Sequence, residues 1–260
     1  MRLGLVQMQP RWLARDANLA SAARLIGQIS AEVYLLPELF PSGYTFVSPA
    51  EVVATAEPAT YGPTLEAMAA LARERQAWMV YGFAEVAGER FYNSANVVSP
   101  RGHELTYRKI HLFGREKLFF TPGDAPAPVW DTPWGRCGLM VCYDWLFPEI
   151  ARSLALRGAE LLLQPANLVL PHCPQAMITR SLENRIFSAT CDRVGSETNG
   201  PVTYTFIGQS QVVNPRGEIL CRLSGDREET AVVELDLGQA RSKRINEAND
   251  LFADRQPALY

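Results

Sequence analysis

The sequence predicts a layered α/β fold, a mixed domain in which helices cover an antiparallel sheet, and three observations carry that expectation. Strand-like apolar runs alternate with helical segments over the first part of the chain, an order that stacks α and β layers. A proline-and-glycine turn pattern then occurs twice between strand-like runs, which adds antiparallel pairing. Finally, 260 residues at 47% hydrophobic and 20% charged can bury a sizeable core, and no low-complexity linker divides them.

In chain order, Leu3 to Met8 reads as a strand, Asp16 to Ile29 as a helix, Val33 to Leu36 as a strand, Pro63 to Arg75 as a helix and Trp78 to Val86 as a strand. Phe91 to Ser99 and Glu104 to Ile110 then form a hairpin turning on Pro100-Arg101-Gly102. The pattern Val97-Val98-Ser99-Pro100-Arg101-Gly102 returns as Val212-Val213-Asn214-Pro215-Arg216-Gly217, which we read as the same turn chemistry used twice. Between the hairpin and Cys142, Leu112 to Pro128 is a loop rich in proline, glycine and aromatics, long enough to suggest a functional role. The apolar run ending at Val141 predicts a strand covered on both faces, and Pro148 is placed to open the helix Glu149 to Arg157. A strand at Leu161 to Leu163, a long helix from Gln175 to about Thr190, and strands near Ser210 to Val213 and Ala231 to Leu237 complete the sequence prediction. The closing segment, Arg241 to Tyr260, mixes charges with Ile245, Leu251 and Phe252, as a stretch covering a neighbouring subunit would.

Composition removes several classes. A net charge of −3 gives no electrostatic footprint for nucleic acid. The start, Met1-Arg2-Leu3-Gly4-Leu5-Val6-Gln7-Met8, lacks the apolar region of a signal peptide and no stretch reaches the length of a membrane span, so a cytoplasmic protein is expected. Cys137, Cys142, Cys173, Cys191 and Cys221 are scattered with no Cys-x-x-Cys pair, and His103, His111 and His172 are equally dispersed. Neither a disulfide framework nor a metal site is expected.

Four residues stand out chemically. Cys142 lies where the strand ends and a helix begins, so it reads either as a buried apolar cysteine or as a thiol activated by helix N-terminal amides, which could also receive an oxyanion. Glu38 follows Val33-Tyr34-Leu35-Leu36-Pro37 and precedes Leu39-Phe40, so its carboxylate is expected to be buried and raised toward the range of a general base. Lys109 shares a strand face with Leu105 and Tyr107, yet by strand physics alone it reads as a solvated edge lysine. Glu116, in Gly114-Arg115-Glu116-Lys117, reads alone as part of a solvated charge cluster.

Taken together, Leu36-Pro37-Glu38-Leu39-Phe40, Tyr107-Arg108-Lys109-Ile110-His111-Leu112 and Val141-Cys142-Tyr143-Asp144-Trp145-Leu146-Phe147-Pro148-Glu149 resemble, in order and spacing, the Glu-Lys-Cys motifs of the nitrilase superfamily of carbon-nitrogen hydrolases. The gaps are 71 residues (109 − 38) and 33 residues (142 − 109). The likeness spans nearly the whole chain and is nearest to the short, unfused proteins of archaea and bacteria. It implies a four-layer α-β-β-α sandwich, residues 1–260 as a single carbon-nitrogen hydrolase domain, and a homodimer or larger assembly built partly on the helix carrying Arg180 and Glu183. It further implies Cys142 as nucleophile, Glu38 as general base, Lys109 with the Tyr143 backbone N–H at the oxyanion, and Glu116, six residues before Pro122, as a second glutamate that orients substrate and supports the lysine. Phe40, Tyr44, Phe113, Trp145 and Asn167 fall where the superfamily builds its substrate pocket; Phe113 and Trp145 equally suit a plain core. No cofactor or metal belongs to this chemistry.

The expected activity is therefore hydrolysis of a small amide through a cysteine thioester, releasing ammonia or an amine. The alternatives are an aliphatic nitrilase or an N-carbamoyl amide hydrolase using the same residues, a papain-like scheme with His111 as base, and a catalytically silent interaction protein.

Overall fold

The protein is described by a computed structural model over residues 1–259. Strand β1 (Arg2–Gln7) leads through helix α1 (Arg15–Ile26) to β2 (Val33–Leu35), and helices α2 (Pro49–Thr55) and α3 (Pro63–Arg75) carry the chain to β3 (Trp78–Ala87). The hairpin strands β4 (Arg90–Ser99) and β5 (Gly102–Arg108) follow. A second series then runs β6 (Val129–Thr132), β7 (Gly135–Leu139), α4 (Pro148–Leu156), β8 (Leu161–Pro165), α5 (Cys173–Asn184) and β9 (Phe187–Cys191). After the hairpin β10 (Val194–Asn199) and β11 (Val202–Ile207) come β12 (Gln211–Val213), β13 (Ile219–Arg222) and β14 (Glu229–Glu234).

Among the described residues, these strands form two six-stranded sheets, in the orders β14-β1-β2-β3-β4-β5 and β13-β12-β9-β8-β7-β6, besides the two-stranded β10-β11. Each large sheet has a parallel centre, β1-β2-β3 in one and β7-β8-β9 in the other. The antiparallel sheet expected from sequence is thus corrected to a mixed one. Antiparallel strands supply the flanks, while helices bridge the parallel neighbours, because a parallel connection must return the chain along the sheet. The repeated Pro-Arg-Gly turn does join flanking strands in both sheets, β4 to β5 and β12 to β13.

Two-residue periodicity divides the core. Leu3, Leu5, Val33, Leu35 and Val80 join Leu139, Leu161 and Ala189 between the sheets. The alternate positions Tyr34, Leu36, Met79 and Tyr81 pack on Leu25, Ile26, Met68 and Ala72 of α1 and α3. With α4 and α5 packed against the second sheet, the layers run helix, sheet, sheet, helix, the four-layer sandwich the resemblance implied.

The long helix expected to about Thr190 is also corrected. It ends at Asn184, where Arg185 turns left-handed at φ +48, and Phe187–Cys191 becomes β9 at the centre of the second sheet. A short apolar run buried on both faces has no period that separates strand from helix.

Gly82 sets the course of the chain after β2. A Cβ there would lie 2.5 Å from Glu38 Cα and 2.8 Å from Leu39 N, so only glycine lets the Glu38 backbone cross β3 so closely. Replacing it by alanine is expected to destabilise the fold by about 1–3 kcal/mol through this overpacking. Equilibrium urea unfolding of the Gly82→Ala variant checks this, and an unchanged midpoint refutes it.

Candidate active site

The parallel strands end at one place. Glu38 follows β2, Cys142 follows β7 and Asn167 follows β8, so the carboxyl ends of strands from both sheets meet there, where α/β folds commonly bind ligands. Lys109 comes from the end of β5, with its backbone N–H donating to the Asn93 carbonyl of β4 at 2.8 Å. Glu116 sits in the 3-10 turn Gly114–Leu118. The Pro122-Gly123-Asp124 stretch folds back onto this strand end: Gly123 N–H donates to the Lys109 carbonyl at 2.9 Å, and a Cβ at Gly123 would collide with the Arg108 carbonyl.

Lys109 is not the solvated edge residue that strand physics suggested, nor is Glu116 part of a solvated cluster; both are buried. Lys109 Nζ donates to Glu38 Oε1 at 2.6 Å and to Glu116 Oε1 at 2.8 Å. Glu38 is fully buried, and its Oε2 has no partner among the described residues. Burial lifts the Glu38 carboxyl above its ordinary value against the pull of Lys109. Burial by itself would lower Lys109, but the Glu116 and Glu38 charges outweigh it and push the ammonium well up, so Lys109 stays protonated.

Cys142 opens the 3-10 turn Cys142–Leu146 at φ +43, an unusual backbone for a non-glycine residue, and such strain is typical of a nucleophile held on a sharp strand-to-helix bend. Its Sγ donates to the Asn167 carbonyl at 3.8 Å. Burial, followed by the Glu38 charge, pushes the thiol well up in spite of Lys109. With the proton favoured on sulfur in this way, it must leave as the sulfur attacks.

Phe113, Trp145 and Asn167 line a cavity of about 190 Å³ at Cys142, together with Leu168, Val169 and Leu170. Neither oxygen nor nitrogen of the Asn167 side-chain amide has a partner among the described residues, although the residue is buried. Tyr44 lies behind Glu116, donating its hydroxyl to Oε1 at 2.6 Å, and borders a separate small cavity. Phe40 is corrected from a pocket wall to a core residue, packed edge-on to Tyr81 at 5.8 Å between ring centroids.

Three buried residues escaped the sequence reading. Asp144 ties the bend to the lysine strand: Oδ2 accepts from Val141 N–H at 2.9 Å and Tyr107 Oη at 2.8 Å, while Oδ1 accepts from His111 N–H at 3.2 Å and lies 2.8 Å from its Nδ1. His111 also stacks on Phe147, with centroids 3.6 Å apart, so its ring is committed away from a cysteine-histidine pair. Asp192, just after β9, accepts the Leu168 N–H at 2.7 Å and fixes the turn that carries Asn167. Asn93 donates Nδ2 to Glu38 Oε1 at 2.7 Å and to Glu116 Oε2 at 3.3 Å. The signal for Asp144, a carboxylate set among aromatics and leucine, was the same one that exposed Glu38.

A protonated lysine and a buried carboxylate beside a thiol on a strained bend suit acyl transfer through a thioester, so the class is a cysteine hydrolase. Residues 2–245 match the family model described as carbon-nitrogen hydrolase, and the chain belongs to that family. It is 44% identical to the nitrilase of Pyrococcus abyssi, over 100% of this chain and 99% of that protein. It is 38% identical to the (R)-stereoselective amidase of Pseudomonas sp, covering 100% and 93% respectively. A solved structure of the Nesterenkonia AN1 amidase from the nitrilase superfamily superposes with a TM-score of 0.81 at 30% identity, covering 100% of this chain and 95% of that one. Other structures of that amidase show acrylamide added at the active site cysteine, or butyramide bound.

Asp144→Ala should cost about 3 kcal/mol or more, since it strands the Val141 N–H and the Tyr107 hydroxyl without an acceptor. Asp144→Asn, which keeps one acceptor oxygen, should cost less. Thermal and urea unfolding of the two variants measure the difference, and equal, small losses would contradict the role of Asp144 as the tie.

Proposed function

We propose that this protein hydrolyses a small uncharged amide, releasing ammonia and a carboxylic acid, with Cys142 as nucleophile, Glu38 as general base and acid, Lys109 and the Tyr143 backbone N–H at the oxyanion, and Glu116 supporting the lysine. The observation that carries this reading is the free Glu38 Oε2: a buried, raised carboxylate with one oxygen unpaired beside a neutral thiol is set to take its proton. As Sγ bonds to the carbonyl carbon, its proton passes to Glu38 and the carbonyl electrons move to oxygen. An ammonium has three protons, and two of those on Lys109 go to Glu38 and Glu116, leaving one for the oxyanion. Glu38 returns the proton to nitrogen, the C–N bond breaks, and ammonia leaves a thioester. Water then gives Glu38 a proton, attacks the thioester and frees the acid, and the sulfur recovers its proton.

The substrate reading rests on the cavity. No Lys, Arg, Asp or Glu side chain is among the described lining residues, so a charged acyl group would find no permanent counter-ion there. The unpaired Asn167 amide offers both its NH2 donor and its carbonyl acceptor to a neutral amide. The butyramide complex of the structural relative supports a short aliphatic chain. The 44% identity to a nitrilase favours a small nitrile as the second reading. We further propose residues 1–260 as one domain of a cytoplasmic homodimer. Five free cysteines are in keeping with a reducing compartment, and exposed Leu182 on α5 with a dimer contact on that helix. Among the described residues no helix is long and apolar enough to cross a membrane.

Ammonia release from a panel of short aliphatic amides, dinitriles and N-carbamoyl amines tests the reading. The amides should turn over fastest, and no release from any member refutes it. Lys109→Ala should lower kcat about a hundredfold to a thousandfold, as loss of one oxyanion donor does, whereas His111→Ala should keep the chemistry; the reverse result would favour a cysteine-histidine scheme. Because Glu38 must be ionised and its carboxyl is raised, activity should fall with decreasing pH through a midpoint above the ordinary glutamate value of 4.5. A kcat profile flat down to that value would exclude Glu38 as base.

A further inference from the structure

We infer that Asn93 is a positioning residue for Glu38, whose side-chain amide engages one carboxylate oxygen and so leaves the other to handle the proton. The inference rests on the reading of Glu38 as general base. Asn93 is fully buried on β4, where its backbone carbonyl receives the Lys109 N–H and its side-chain NH2 reaches both carboxylates of the site. An amide NH2 has two protons, enough for one bond to each. Glu38 Oε1 therefore takes two donors, Lys109 Nζ at 2.6 Å and Asn93 Nδ2 at 2.7 Å, and Oε2 takes none among the described residues.

The chemistry of the bridge matters as much as its place. Glu38 is faced by Lys109 from the end of β5, Glu116 from the 3-10 turn, Cys142 from the bend and Asp192 from the end of β9, with Tyr44 bound to the far side of Glu116. Two carboxylates share the single ammonium of Lys109. Asn93 adds a second link between them without adding a charge. An arginine or lysine in its place would over-stabilise the Glu38 anion and weaken it as a base, and an aspartate would bring a third anion. Removing the amide takes a hydrogen bond from the ionised form alone, so Glu38 should hold its proton to higher pH.

Asn93→Ala and the isosteric Asn93→Asp test this, read by kcat and KM against pH on an amide the wild type turns over. The rate of Cys142 alkylation by iodoacetamide against pH serves as a second readout that requires no substrate assignment. In Asn93→Ala, kcat should fall about tenfold to a hundredfold with KM changed far less, and the acid limb should move to higher pH in both readouts. Asn93→Asp should move it further, and Asn93→Ser, which keeps one donor, should recover part of the rate. Thermal melting identifies the folded variants; if alanine prevents folding, the isosteric aspartate carries the test. Folded variants that keep the wild-type acid limb, whatever their rate, overturn the inference. A wild type that releases no ammonia sinks the hydrolytic reading instead, while the alkylation profiles still judge Asn93.

Discussion

A buried ammonium held between two buried carboxylates is the constraint around which this protein is arranged. A lysine out of water is costly unless its charge is matched, and two carboxylates beside it leave one negative charge in excess if both ionise. The fold meets that excess with uncharged donors, Asn93 from β4 and the Tyr44 hydroxyl from the loop after β2, so that three of the four carboxylate oxygens are engaged. Tyr44 is itself held through its backbone N–H by Glu197, whose other oxygen takes the buried Arg193 guanidinium. Each polar group thus fixes the next, and the one oxygen left over, Glu38 Oε2, belongs to the residue we read as the proton carrier.

The excess of negative charge has a chemical consequence. Added to burial, which is the larger cause, it pushes the neighbouring thiol up instead of down, so Cys142 differs from cysteines whose thiolate is favoured beside a cation or a helix N-terminus. A neutral thiol is a poor nucleophile, but it also resists oxidation and adventitious alkylation. Nucleophilic strength then depends on whether the proton can pass to Glu38. Because the carboxylates, the lysine and the thiol share protons, they titrate as a set, and a limb of the pH profile belongs to the set and not to one side chain.

The sequence made the ends of this network legible and hid its middle. Glu38 and Cys142 each close an apolar run, and a polar side chain at the end of a buried strand has few places to go. Lys109 and Glu116 carry no such local mark: the lysine obeys a two-residue period that suits a solvated edge equally well, and its burial follows from Glu116 and from Glu38, 71 residues earlier. Their roles came from the resemblance, which joins segments that local physics treats separately. Phe40 shows the opposite limit, since an aromatic beside a catalytic motif can face either core or cavity, and a one-residue change of direction decides which. The strand β9 was hidden for another reason. Ile186 to Cys191 continues the apolar content of α5, and the left-handed Arg185 that separates them is an ordinary helix former.

The separation of the site residues along the chain follows from the two-sheet design. Glu38 and Lys109 belong to the first sheet, Cys142 and Asn167 to the second, and the inter-sheet core of Leu35, Val80, Leu139 and Leu161 sets the distance between base and nucleophile. A packed interior hardly yields to compression, so this spacing is held more rigidly than a pair of surface loops could hold it. Asp144 locks the same seam with polar contacts, joining the bend after β7 to Tyr107 of β5 and to His111 beyond it. Rigidity of this kind allows a strained backbone at Cys142, because a nucleophile at φ +43 keeps its aim only while the elements on either side cannot relax. The buried charges and the strained bend therefore depend on one seam, and neither would persist in a fold that let the sheets slide.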